Sequence, residues 1–217
     1  MNSLPQAKSN LVRCIYHDPA AVSELGGALR AVLAGAAERR RVVVVCVGTD
    51  RSTGDSLGPL TGLTLVSMGY PAELVYGTVD DPVHAGNLAD AVRDLRTEHP
   101  GSLVVAVDAC LGTVENVGTI SLCQGPLRPG AGVNKALPPV GELAITGVVN
   151  VAGFMEYFVL QNTRLSLVIR MSQVIAAAIM EALGLGGVPQ AAVGSGLEAG
   201  CAGSCSRRIR ITEASST

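Results

Sequence analysis

The segment that most constrains the fold is the apolar run at residues 42–47, VVVVCV. β-branched residues favour strands, and an apolar run without polar alternation is typical of a parallel strand covered on both faces. Gly48 then opens a polar loop, and Gly58-Pro59 leads into an apolar helix over residues 60–68. The segment therefore predicts a strand–loop–helix unit of an α/β protein.

The same alternation continues along the chain. Residues 74–76 are predicted as a short strand, 87–98 as a helix, and 102–107 as a second buried strand that ends at Asp108. The other predicted elements are a helix from Asp18-Pro19 to the basic residues 39–41, a strand at 118–123, a helix at 151–160 and a final apolar helix through Val168 and Ala182. This order predicts a three-layer α/β/α fold with a mostly parallel sheet.

Length and composition predict one domain with an aliphatic core. The chain has 217 residues, of which 48% are hydrophobic, but it has no Trp and only 3% aromatic residues. We expect a single domain over residues 1–183, with its core at about residues 41–183. Residues 184–217 are rich in Gly, Ala and Ser and are predicted to form a flexible tail, which contains the locally spaced pair Cys201 and Cys205.

Charge and hydropathy exclude several classes of partner. The chain has 16 Lys and Arg against 18 Asp and Glu, with a pI near 5.9, so we expect no surface for nucleic acid or anionic lipid. The most apolar stretch, residues 42–47, is far shorter than the roughly 20 residues that cross a membrane. The N-terminus shows no secretory signal, and the cysteines are scattered as in a reducing compartment. The expected location is the cytoplasm.

Two acids lie where the loops of a parallel sheet bind ligands. Asp55 lies in the loop after residues 42–47, and Asp108 directly follows residues 102–107. An acid beside a buried strand is costly unless it is hydrogen-bonded, paired or used in chemistry. Two adjacent carboxylates can share one proton, as base and acid of a hydrolase, or can hold a divalent metal. Alternatively, Asp55 caps the helix near Gly58 and Asp108 binds loop amides.

Three segments resemble a known family in the same order along the chain. Residues 47–59 (VGTDRSTGDSLGP), 107–109 (VDA) and 129–135 (PGAGVNK) are similar to segments of the germination protease of spore-forming bacteria, and more closely to the YyaC-type sporulation proteins. The resemblance implies a phosphorylase/hydrolase-like α/β/α fold, shared with the hydrogenase-maturation endopeptidases. It also implies an aspartic-type peptidase whose two essential acids match Asp55 and Asp108.

The loops supply further candidates for substrate binding: Arg51, Ser52, Thr53, Ser56 and Asn134. Arg51 can orient a substrate carboxylate, and the other four can hydrogen-bond a substrate backbone or the acids. We expect a protein or peptide substrate, encountered in a sporulating cell or spore, and no cofactor. We assign no metal ligand.

Two positions differ from the germination protease: its Gly-Asn pair has Thr49 here, and the proline before its first acid is Gly54. Hydrogenase-maturation peptidases use two acids and a late His to hold the nickel of their substrate, whereas this chain has no His after residue 99. Two alternatives therefore stay open. One is a catalytically inactive relative that binds peptide or protein, and the other is a metal-dependent hydrolase that uses Asp55, Asp108 and His84.

A serine esterase is a further possibility that the order of the motifs disfavours. Residues 54–57 spell GDSL, and residues 81–84 spell DPVH, which match the nucleophile and Asp-x-x-His signatures of GDSL-type lipases. In those enzymes the serine turns directly off the first strand and the His lies near the carboxyl end. Here Ser56 lies several residues into a loop and His84 comes early, so the spacing does not fit a serine triad.

Overall fold

A six-stranded mixed sheet lies at the centre of the protein in the computed structural model, which describes residues 9–35, 41–129 and 137–185. The strands are β1 (Ser9–Ile15), β2 (Val42–Cys46), β3 (Val75–Tyr76), β4 (Leu103–Gly112), β5 (Thr119–Gln124) and β6 (Leu143–Val151). The helices are α1 (Ala21–Ala34), α2 (Leu57–Ser67), α3 (Leu88–Glu98), α4 (Glu156–Gln161) and α5 (Leu165–Ala182). A 3₁₀ turn at Gly54–Ser56 precedes α2.

The strand order across the sheet is β1-β5-β6-β4-β2-β3. The neighbours β6, β4, β2 and β3 pair in parallel, whereas β5 is antiparallel to both β1 and β6. All strands except β5 therefore point in the same direction. The predicted mostly parallel sheet is confirmed.

Helices cover both faces of this sheet, which confirms the three predicted layers. The chain moves outward from β2 to β3 and then back across β2 to β4. Because parallel crossovers are right-handed, these opposite steps place α2 and α3 on opposite faces. Helices α1 and α2 both pack against α5, so these three helices form one layer.

The core is aliphatic, as the composition predicts, and it begins before residue 41. All five residues of β2 and the first five of β4 are buried. Cys14, Leu25 and Leu29, from β1 and α1, also belong to the buried cluster. The hydrophobic core therefore extends beyond the predicted range of residues 41–183, because α1 packs against α5 and closes that layer.

Helix α5 is apolar enough to resemble a membrane span, a feature that is not among the expectations from the sequence. Its 18 residues have a mean hydropathy of 1.5, and half of them are buried inside the protein. Val168, Met171 and Ile175 lie on its buried face. Its contacts with α1 and α2 account for this apolar character, as in a core helix.

Several predicted boundaries differ from the structure. Neither β1 nor β6 was predicted, because their apolar residues are interrupted by Arg13 or by Thr146-Gly147. The predicted helix at residues 151–160 is wrong in its first half, since Val151 ends β6 and α4 begins only at Glu156. Gly153 (φ +154°) and Met155 (φ +59°) turn the chain between them, which prevents a continuous helix.

The predicted tail at residues 184–217 lies outside the described residues, apart from Gly184 and Leu185. The pair Cys201 and Cys205 lies outside them as well. The compact unit that contains the sheet ends at Gly186.

Candidate active site

The candidate site lies at the carboxyl ends of β2 and β4, where the direction of the chain across the sheet reverses. From β2 the chain continues toward β3 at one edge, and from β4 it continues toward β5 and β6 on the other side. In open α/β sheets, a crevice forms at such a reversal and binds ligands. Three segments meet here: the loop after β2, the end of β4 and the segment around His84.

The loop after β2 folds back on its own strand, and two glycines make this possible. Gly48 has φ +145°, and a Cβ there would overlap the Asp55 carbonyl oxygen. The Thr49 N–H donates to that same oxygen at 3.2 Å. Gly58 brings the first turn of α2 against the Val47 backbone. From the sequence, Gly48 is expected only to open the loop and Gly58 only to lead into the helix. The close packing at both glycines fixes the position of Asp55.

The sequence predicts that the second buried strand ends at Asp108. In the structure Asp108 instead lies inside β4, which continues to Gly112. Strand β4 extends beyond β2, because the last β2 residue, Cys46, pairs with Val107. The Val47 N–H then donates to the Val107 carbonyl oxygen at 2.7 Å, and β4 continues along β6 as far as Gly112. Asp108 is therefore the first β4 residue beyond its pairing with β2.

The two predicted acids are brought to one edge of the sheet. Residues 47–49 connect them, since Val47 is bonded to the residue before Asp108 and Thr49 is bonded to Asp55. The 3₁₀ turn that carries Asp55 also contacts β4 directly. Asp108 is half-buried, as is Asp55.

The Asp55 carboxyl is electrostatically perturbed. Burial raises its pKa above the ordinary 3.8, while a backbone hydrogen bond from Thr49 and the charge of His84 lower the pKa to a smaller extent. The N-terminal cap of α2 is Ser56, and no side chain caps that helix. The alternative in which Asp55 serves as a helix cap is therefore wrong. A carboxyl group that retains its proton more strongly can act as a general acid.

His84 reaches this edge because its neighbour extends the sheet. Val83 forms a parallel bridge with Val47, and the Gly48 N–H donates to the Val83 carbonyl oxygen at 2.8 Å. The His84 side chain is exposed, and its Nδ1 accepts a hydrogen bond from the Gly86 N–H at 3.0 Å.

Neither the metal-dependent hydrolase nor the serine esterase has a geometric basis in the described residues. Within residues 9–35, 41–129 and 137–185, no group of three or more His, Cys, Asp or Glu side chains could hold a metal ion, so Asp55, Asp108 and His84 do not form a three-ligand site. The Ser56 hydroxyl donates to the Thr53 carbonyl oxygen at 2.6 Å, and no hydrogen bond between Ser56 and His84 is present. The serine triad is therefore not assembled.

The predicted substrate-binding residues differ in their surroundings. Arg51 is exposed, whereas Thr53 is half-buried and Ser56 is buried with its hydroxyl satisfied within the turn. Ser52 is 92% buried, and its hydroxyl finds no hydrogen-bond partner among the described residues. Such an atom normally has a partner, so Ser52 is available to a bound group. Asn134 lies outside the described residues.

The segment around α4 is a part of the site that the sequence analysis did not assign. Asn150, near the end of β6, donates through Nδ2 to the Val159 carbonyl oxygen at 3.1 Å and to Thr163 Oγ1 at 3.2 Å. These bonds hold α4 beside the 3₁₀ turn, where Gly54 lies so close to Leu160 that a Cβ would clash. The available signal was aromatic content, since both Phe residues of the chain, Phe154 and Phe158, fall in this segment.

Comparisons with known proteins bear on the family. The family model "Protein of unknown function (DUF1256)" matches residues 13–178. "Uncharacterized protein YyaC" of Bacillus subtilis (strain 168) is 55% identical over 161 residues, which cover 74% of this chain and 78% of that protein. The solved [NiFe] hydrogenase maturation protease HycI from Thermococcus kodakarensis KOD1 gives a TM-score of 0.49 at 18% identity, over 72% of this chain and 98% of that chain. The family match includes β2, β4 and both acids, and the chain therefore belongs to the DUF1256 family.

Proposed function

We propose that this protein is an aspartic-type peptide hydrolase in which Asp55 and Asp108 form the acid–base pair. The observation that supports it best is the loop at residues 47–49, which ties the half-buried Asp55, whose pKa is raised by partial burial, to the β4 position beside Asp108. The resemblance of the loops to germination protease implies the same two acids and supports the proposal. The substrate would be a protein or peptide in the cytoplasm of a sporulating cell or spore.

The direction of the Asp55 pKa shift suggests which acid has which role. Asp55 retains the proton because burial disfavours its charged form. Asp108, as carboxylate, accepts a proton from water while the water oxygen attacks the peptide carbonyl carbon. Asp55 then gives its proton to the amide nitrogen as the C–N bond breaks, which yields a carboxylic acid and an amine. Transfer of the proton that Asp108 took from water to Asp55 restores the starting state of the pair. The two groups would titrate as a coupled unit.

Ser52 and Arg51 would assist binding at the same edge. The buried Ser52 hydroxyl has no partner among the described residues, so it can bond a substrate backbone group that displaces water. The exposed Arg51 side chain can pair with a substrate carboxylate. Neither residue needs to move a proton.

The proposal is tested by cleavage of fluorescein-labelled casein with the purified chain. Asp55→Asn and Asp108→Asn should each reduce cleavage at least a hundredfold, because each removes one proton transfer. Asp94→Asn, at an exposed position on α3, is the matched control and should leave the rate unchanged.

Two results would contradict the proposal. Cleavage that EDTA abolishes and added divalent metal restores would favour the metal-dependent hydrolase. Casein that binds without being cut, with no effect of either Asn variant, would favour the inactive binding relative. Retained cleavage in EDTA supports the aspartic mechanism.

A further inference from the structure

An exposed aromatic surface lies beside the candidate active site. Phe154 is 91% exposed, Tyr157 66%, Phe158 52% and Met155 49%. We call these residues the aromatic patch. Aromatic residues are only 3% of the chain, so this concentration at the surface is unlike the rest of the molecule.

The aromatic patch borders a pocket of about 510 Å³. Phe154, Met155 and Phe158 line this pocket together with the Val151 end of β6 and Asn162. Tyr157 packs edge-on against Phe158, with ring centroids 5.9 Å apart. The four side chains therefore form one continuous apolar surface rather than scattered exposed groups, and surfaces of this kind mark binding sites.

The backbone holds the aromatic patch outward. Met155 is the one non-glycine residue with positive φ in the described part of the chain, at φ +59°. A left-handed conformation is costly for such a side chain, and it persists only where the surroundings impose it. The Asn150 hydrogen bonds to the Val159 carbonyl oxygen and to Thr163 Oγ1 hold the other end of this segment against β6.

The same helix connects the aromatic patch to the acids. Leu160 contacts Gly54, the residue before Asp55. Phe158 lies two residues before Leu160 and therefore on the opposite face of α4. The pocket reaches the turn through Asn150, which lines it and donates to Thr163 Oγ1, the atom that a Cβ on Gly54 would approach to 2.8 Å. An extended peptide advances about 3.3 Å per residue, so a substrate held at Asp55 reaches the pocket within a few residues.

The size of the aromatic patch favours a peptide segment over a second copy of the chain. At about 200 Å² for a fully exposed side chain of this size, the exposed fractions amount to about 500 Å². A stable dimer of folded subunits buries about 800 Å² on each partner. An apolar stretch of a few residues in an extended polypeptide matches the smaller area and the pocket.

We propose that the aromatic patch and its pocket bind an apolar stretch of the polypeptide substrate next to the peptide bond held at Asp55 and Asp108. This inference rests on the proposed function for the identity of the ligand. It makes the protein selective for chain segments that are unfolded, since an apolar stretch is otherwise buried.

The test measures binding separately from cleavage. Fluorescence anisotropy reports the affinity of two labelled ten-residue peptides for the Asp108→Asn variant, which should not cut them. One peptide has a central Leu-Phe-Leu, and the other has Ser-Ser-Ser at the same place. We expect the apolar peptide to bind at least tenfold more tightly. Phe154→Ser with Phe158→Ser should remove that preference, whereas Phe154→Leu should retain most of it.

Leu185→Ser is the matched control, since Leu185 is half-exposed just beyond the far end of α5, and it should leave both affinities unchanged. Equal affinities for the two peptides would overturn the inference, even if casein is cleaved. Selective binding without any cleavage would support the inference and overturn the proposed hydrolase. A dimer in sedimentation velocity that Phe154→Ser converts to monomer, with no effect on peptide affinity, would show that the occupant is a second copy.

Discussion

Substitution of Gly58 by alanine tests the close packing that positions Asp55. A Cβ on Gly58 would lie 2.8 Å from both the N and the C of Val47 and closer still to its carbonyl oxygen. Gly58 lies in α2 without a positive φ, so alanine should by itself stabilise the helix by about 0.5–1 kcal/mol. The structure therefore sets helix propensity against a backbone clash.

The clash should win. Overpacking a close contact costs about 1–3 kcal/mol, and here no side chain can rotate away, because both N and C belong to the backbone of Val47. We expect a net loss of about 1–2 kcal/mol in the free energy of unfolding, or roughly 2–8 °C in melting temperature for a chain of this size. The displaced first turn of α2 would carry Asp55 by about 1 Å, which should reduce the cleavage rate about a hundredfold.

Gly27→Ala is the matched control. Gly27 also lies inside a helix, α1, but a Cβ there would have nothing within 4 Å. This variant should gain about 0.5–1 kcal/mol with unchanged cleavage. Urea unfolding followed by circular dichroism gives both free energies. If Gly58→Ala were as stable as Gly27→Ala, the close approach of α2 to β2 described above would be wrong.

The remaining predictions concern the Asp55 carboxyl, the Ser52 hydroxyl and the Asn150 side chain. Because burial raises the Asp55 pKa, the folded state binds this proton more tightly than the unfolded state does. The contribution of Asp55 to stability is therefore largest below pH 3.8 and falls as pH rises through the folded-state pKa. Asp55→Asn should flatten this decrease in the unfolding free energy, measured by urea melts at several pH values, and an unchanged slope would refute the prediction. Ser52→Ala should lower kcat/KM about tenfold while leaving the unfolding free energy unchanged or up to about 1 kcal/mol higher, because its buried hydroxyl finds no partner in the described residues; a loss of stability would show a hidden hydrogen bond. Asn150→Ala should lower the unfolding free energy by about 1–3 kcal/mol by freeing Val159 and Thr163, and thermal melts would reveal an error if the stability were unaltered.

The sequence predicts the sheet best where strands are buried on both faces. Residues 42–47 and 102–107 are uninterrupted apolar runs, and both form central strands. Strand β6 was missed because Thr146-Gly147 interrupts its pattern. The glycine leaves room there for the buried Leu57 and Met171 side chains, whose ends a Cβ would overlap. Such a contact between distant segments leaves no local periodicity to read.

The position of Asp108 also shows why the end of a strand cannot always be predicted from the sequence. Its apolar run ends at Val107, so the sequence predicts the end of a strand there. In the structure the strand continues, because β6 supplies hydrogen-bond partners for five more residues after β2 has ended. The location of both acids at the carboxyl edge of the sheet could be predicted, because loops leave a parallel sheet at that edge. The glycine-mediated folding of the loop, and the placement of α4 beside it, depend on contacts that only the folded chain contains.

The unequal lengths of β2 and β4 also imply that the two acids differ in local stability. Asp108 is anchored in the hydrogen-bond ladder between β4 and β6, so it should exchange its amide proton only in large openings of the sheet. Asp55 is held by a loop whose described backbone bond to Thr49 is a single contact at 3.2 Å. A small, local opening of that loop would move one carboxyl and leave the other in place. The alignment of the proposed acid pair therefore depends on the opening free energy of residues 48–56, and the global stability of the domain sets only the upper limit of that free energy.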